Sequence, residues 1–205
     1  MGLMALAAAL ALRAAAAPSP ALRVSVVDQD GKPVRDAVVY SVDAAATAAQ
    51  APADAVMDQV ALDLKPRVLV VRAGARVRFP NNDQVRHQLY SFSKAKRFEL
   101  PLYKGQDAPP VVFDTPGVVK IGCNIHDWML GYVVVVPNDD FAVTDASGSA
   151  RLPRPASGSV TVWSERLRGE APKAPVPAAG VGELVLRIKA RAPVKAAAHH
   201  ALAPY

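Results

Sequence analysis

The sequence predicts an all-β fold, on three observations. Prolines (18) and glycines (12) are too frequent for long helices and suit turn-rich sheet. Short runs rich in Val, Ile, Leu, Phe and Tyr recur between turn-forming residues. The sequence carries neither helical heptads nor a repeat longer than a hairpin. Among its 205 residues 51% are apolar and 20% charged, enough for a packed core and too apolar for wholesale disorder. Lys and Arg (24) exceed Asp and Glu (18) by six. That is a mild basic excess rather than a nucleic-acid arm, and no nucleic-acid partner is expected.

The elements follow in order. The chain opens MGLMALAAALALRAAAAPSP, an apolar stretch followed by small residues. Residues 1–17 therefore read as an export signal, with cleavage around Ala15 to Pro18 and a periplasmic or secreted product. The stretch is shorter than the ~20 apolar residues a bilayer span needs, and no later run is longer, so no transmembrane segment is expected. LRVSVVDQDGKPVRDAVVYSV reads as a hairpin about Asp28–Pro33. Residues 43–55 are alanine-rich and read as a loop or linker. Arg76 and Arg78 alternate with Val77 and Phe79, the period of a half-buried strand. PNNDQVR is a turn, and the following HQLYSF places His87, Leu89 and Ser91 on one strand face. RFELPLY and PVVFD supply further strand pieces. VVKIGC puts Val119, Ile121 and Cys123 on one face, so Cys123 should point into the core if its neighbours do. NIHDWML is a tight loop and GYVVVV a buried strand. FAVTDASGSARL reads as a hairpin, SVTVWSE and GELVLRI as strands, and residues 191–205 as a mobile tail.

The residues that carry chemistry lie on the NIHDWML loop. Cys123, His126 and Met129 are spaced Cys-x₂-His-x₂-Met, and His87 opens a strand 36 positions before Cys123. Taken singly, the cysteine reads as a small buried hydrophobe, the histidine as a surface loop residue and the methionine as core filler. Taken together they read as a metal site. Thiolate and thioether are soft and favour Cu(I), while imidazole suits both copper oxidation states. Two His and one Cys with a weak axial Met make an electron-transfer copper site. Zinc in a Cys-His₂ site is the competing reading, since it accepts the same donors without Met129. A single cysteine excludes an iron–sulfur cluster, a Cys₄ zinc site and a Cys-x-x-Cys-His haem attachment. A Cys–His nucleophile lacks an identifiable orienting acid and oxyanion hole, so the chain is not read as an enzyme by itself.

FPNNDQVRHQLYSF followed by GVVKIGCNIHDWMLGYVVVV resembles the two copper-binding segments of the cupredoxins, the small blue copper proteins. The loop length is similar to the amicyanin branch, and the resemblance is strongest to exported plastocyanin-like proteins of the methylamine-utilisation kind. It covers about residues 56–137. It implies a Greek-key β-sandwich holding one copper ion that cycles between Cu(I) and Cu(II). Cys123 would be the thiolate ligand, His87 and His126 the equatorial imidazoles, and Met129 the axial thioether. Where these proteins often have Asn after the first His, tying the two segments together, this chain has Gln88. The flanks, VSVVDQDGKPVRDAVV and AVTDASGSARL with GSVTVWSE, resemble a transthyretin-like or carboxypeptidase-regulatory-like sandwich. The expected architecture is thus a cupredoxin domain (56–137) inserted in, or joined to, a second small Ig/transthyretin-like sandwich (21–48 and 138–190).

The resemblance implies a carrier of single electrons between redox partner proteins. A copper-delivering protein without a redox role is the alternative, and docking of the copper module on a larger complex is a third role for the flanks. Ile125, Trp128 and Leu130 are candidate docking residues around His126, the expected electron exit. Arg72, Arg76, Arg78, Arg86, Lys94, Lys96 and Arg97, with Asp83 the one acid among them, form either a solvated face or a surface steering an acidic partner. His199 and His200 sit in the expected tail.

Overall fold

The computed structural model describes residues 21–42, 52–105, 108–153, 157–178 and 182–192. The expected signal, most of the alanine-rich linker and the tail with His199 and His200 lie outside the described residues.

The described residues are all-β, without a helix. In chain order the first strands are β1 (Leu22–Val27) and β2 (Val38–Val42). Then come β3 (Ala55–Val56), β4 (Asp58–Val60), β5 (Asp63–Lys65), β6 (Val68–Arg72), β7 (Ala75–Arg78), β8 (Leu89–Ser93), β9 (Lys96–Glu99), β10 (Val111–Phe113), β11 (Gly117–Cys123) and β12 (Leu130–Val136). The last are β13 (Phe141–Val143), β14 (Ser149–Leu152), β15 (Ser159–Trp163), β16 (Lys173–Pro175) and β17 (Glu183–Arg187).

Strands from the two ends of the chain pair with one another. One sheet has the order β14-β1-β17 and a second the order β13-β2-β15-β16. They enclose a core of Leu22, Val24, Val26, Val39, Leu152, Val160, Val162 and Leu186. The central stretch builds its own sheets, β6-β12-β11-β8-β9 and β10-β7-β3, with β4-β5 as a separate pair. Their core contains Met57, Leu64, Val77, Phe79, Leu89, Phe113, Val119, Ile121, Val133 and Val135.

A third cluster joins the two cores. Val134 and Val136 point away from the central core and pack with Val38, against which Tyr40, Phe141 and Trp163 also lie. The run Val133–Val136 is therefore apolar at every position because both faces of β12 are covered. Arg67 spans the same seam: Nε donates to Glu165 Oε2 at 2.9 Å and Nη1 to Leu130 O at 3.0 Å.

Two expected hairpins are corners instead. β1 pairs β14 and β17, while β2 pairs β13 and β15, so the Asp28–Pro33 turn carries the chain from one sheet to the other. The turn after Val143 does the same for β13 and β14. The cause is burial. Leu22, Val24 and Val26 must face Val39 across one core, and strands paired in one sheet would lie side by side rather than face to face. The corners are built from carboxylates: Asp28 Oδ1 accepts the N–H groups of Asp30 and Lys32, and Asp145 Oδ1 those of Ser147 and Ser149.

Candidate metal centre

β8, β11 and the loop after β11 bring the chemistry to one end of the central sheet. Along β11, Val119, Ile121 and Cys123 alternate inward, and all three are buried. Along the strand beside it His87, Leu89 and Ser91 do the same. β11 and β8 pair in antiparallel register, Cys123 opposite Leu89. His87 is fixed by a two-way backbone bridge, its N–H donating to Tyr103 O and its carbonyl accepting from Tyr103 N, both at 3.0 Å. Asn81 pins the turn before it, donating from Nδ2 to Val85 O and Tyr103 O, each at 2.9 Å. The loop returns through Met129 N–H donating to His126 O at 2.9 Å, and the His126 ring lies beside Cys123.

Three donor atoms converge. His87 Nδ1 lies 3.6 Å from Cys123 Sγ, His126 Nδ1 lies 3.7 Å from the same sulfur, and the two nitrogens are 3.1 Å apart. These sides define a triangle whose corners lie about 2.0 Å from a common centre, a metal–imidazole bond length and slightly under a metal–thiolate one. The donor set fits a single ion of copper or zinc size. The relative exposures of His87, Cys123 and His126 are 0%, 3% and 9%, so the centre is closed to water on most sides. Met129 is buried in the same core as Cys123.

The surroundings of the Cys123 thiol make it more acidic. Burial pushes it up, but the hydrogen bond with His87 and the N–H groups of Ile125, Gln88 and His126 pull it down to about 6. His87 moves the other way. Burial lowers it, and hydrogen bonds to Cys123 and Asp83 outweigh that and raise it.

Gln88 takes up the tie between the two segments. Its Oε1 accepts from Asn124 Nδ2 at 3.0 Å, its carbonyl accepts from Asn124 N–H at 2.9 Å, and its Nε2 donates to Glu99 at 2.7 Å. Sequence reasoning missed Asn124 and Glu99. It also placed Asp83 on a basic surface, whereas Asp83 lies against His87 Nε2 at 2.9 Å with its side chain 10% exposed. An acid four residues before a candidate ligand histidine was the available signal. Of the three docking candidates, Ile125 and Trp128 are exposed and Leu130 is half-buried. The Trp128 ring lies 5.3 Å from the His126 ring. Arg72 is paired with Asp139, while Arg76, Arg78, Arg86, Lys94 and Arg97 are exposed and Lys96 is half-buried near Asp114.

The chain is similar to cupredoxins among the solved structures. One match is a purple cupredoxin from Nitrosopumilus maritimus, 28% identical, covering 40% of this chain and 99% of that one with a TM-score of 0.36. A reduced amicyanin variant is 25% identical over 40% of this chain and 80% of its own, with a TM-score of 0.36. A copper-containing nitrite reductase from Thermus scotoductus SA-01 is 22% identical, covering 54% of this chain and 28% of that one, with a TM-score of 0.38. No family model and no curated protein matches the chain. Among the described residues no helix is long and apolar enough to cross a membrane.

Proposed function

We propose that this chain is a type 1 (blue) copper protein that carries single electrons between redox partner proteins in the periplasm or outside the cell. The observation that carries the reading is the buried triangle of His87 Nδ1, Cys123 Sγ and His126 Nδ1. One copper ion there would supply a Cu(I)/Cu(II) couple, with Met129 as the fourth, weaker donor.

The chain's own residues explain why such a couple would be fast. The two segments are stapled by the Gln88–Asn124 bonds and the β11–β8 register, and His87 is fixed in turn by its backbone bridge to Tyr103, so the donors are held before an ion arrives. Donors that do not move between oxidation states leave little to reorganise. His126 is the donor nearest the surface, and the exposed Ile125 and Trp128 beside it offer an apolar rim where a partner can dock and exchange the electron. We assign this centre to a unit over residues 56–137, held by a sandwich of residues 21–48 and 138–190 whose role is to seat it on its partners.

Burial argues against the alternative of copper delivery. A carrier must release its metal, and donors closed into a packed core exchange slowly. Cyclic voltammetry on the copper-loaded protein separates the two. A reversible one-electron couple is expected, and an irreversible wave with loss of copper to a chelator would favour delivery.

A further inference from the structure

Both ring nitrogens of the buried His87 have partners. Nδ1 faces Cys123 and His126, while Nε2 lies 2.9 Å from Asp83 Oδ2. The same carboxylate closes the tip of the β4–β5 hairpin: Ala61 N–H donates to Oδ1 at 2.6 Å and Leu62 N–H to Oδ2 at 3.0 Å. Ala61 and Leu62 are consecutive left-handed residues, φ 56° and 58°, and neither is glycine. Side-chain-bearing residues resist this conformation, and tips of this kind ordinarily carry Asn-Gly. Two successive left-handed residues turn their N–H groups to one side as a small anion-binding nest, and Asp83 occupies it. Asp83 N–H in turn donates to Asn81 Oδ1 at 3.0 Å, which fixes where the carboxylate points.

We infer that Asp83 is a positioning residue of the metal centre: anchored in the Ala61–Leu62 nest, it holds His87 Nε2–H and so leaves Nδ1 bare and aimed at the metal. Its negative charge behind the ring also favours the oxidised ion over the reduced one. The second half of this inference rests on the copper reading, and the first does not. A carboxylate behind a ligand imidazole fixes its tautomer and raises its basicity.

The test must separate this role from that of a turn cap. Leu62→Gly relaxes the hairpin tip without touching the carboxylate, and Asp83→Asn is made in that background. Nitrogen-15 NMR of the metal-free proteins, at a pH where the imidazole is neutral, reads the His87 tautomer. The wild type and Leu62→Gly should show Nε2–H alone, and the double variant a mixture with Nδ1–H. In the copper-loaded double variant the potential should rise, as a fall of about 10–100-fold in copper(II) affinity relative to copper(I). Asp83→Glu should keep the lower potential. A wild-type Nδ1–H tautomer overturns the inference without any variant. So does a double variant whose tautomer and potential match Leu62→Gly alone. A wild type that binds copper without a blue band defeats the functional reading instead, whatever the tautomer.

Discussion

The Nδ1 atoms of His87 and His126 face each other at 3.1 Å from positions 39 residues apart. At that distance two imidazoles can share one proton but cannot both present one. With Cys123 Sγ 3.6–3.7 Å from both, the arrangement suits one central cation better than three separate hydrogen bonds. Copper(II)-loaded protein should therefore show an intense visible thiolate-to-copper band. Cys123→Ser should lose the band while keeping the strand signature in circular dichroism. A colourless copper(II) complex, or an unchanged spectrum in the serine variant, contradicts thiolate ligation.

A role for Met129 as a donor would separate the copper reading from the zinc one. Met129 is buried with Cys123, in a position that a Cys-His₂ zinc site would not need. Met129→Leu conserves volume and should cost less than about 1.5 kcal/mol of stability. Copper should still bind, and the potential should rise, because a donor to the oxidised ion is gone. A lowered or unmoved potential in voltammetry counts against Met129 as a donor.

The metal-free protein should depend on pH in a defined way. The Cys123 thiol is brought from an ordinary 9.0 to about 6, so it contributes stability that is complete above 9.0 and lost as pH falls through about 6. His87 is raised, so its contribution is complete below its ordinary value of 6.5 and lost as pH climbs through the raised one. From about pH 6 up to the raised His87 value the fold thus favours thiolate beside imidazolium. The ultraviolet absorption of the thiolate should titrate near pH 6, and copper affinity should weaken below it because protons then compete for the donors. A midpoint near 9 would mean that the Cys123 environment is not as described.

What the sequence revealed and what it hid have a common physical origin. Alternation is local, so the inward faces of Val119, Ile121 and Cys123 and of His87, Leu89 and Ser91 were readable from single strands. Pairing is not local. Asp28–Pro33 and Asp145–Gly148 carry turn chemistry, but turn chemistry does not say which sheet the next strand joins, and both proved to be corners. The residues supporting the site were hidden for the same reason. The place of Gln88 after His87 suggested a tie between the segments, but nothing near it named Asn124 and Glu99 as its partners, and the spacing of Asp83 from His87 gained meaning only when the fold set the two together.

The strand leaving the ligand loop is as tightly constrained as the loop itself. Gly131, two residues after Met129, lies against the buried side chains of Leu64 and Met57. A Cβ there would sit 2.9 Å from Leu64 Cδ1, 3.1 Å from Leu64 Cβ and 3.2 Å from Met57 Sδ. Gly131→Ala should cost about 1–3 kcal/mol through overpacking, seen as a lower denaturant midpoint. Leu64→Ala alone should cost about 2–5 kcal/mol through the cavity it leaves. If the two share one space, each partly corrects the other. The double variant should then be more stable than the sum of the single losses by about 0.5–3 kcal/mol. Strict additivity would show that Leu64 is not what forbids a side chain at Gly131.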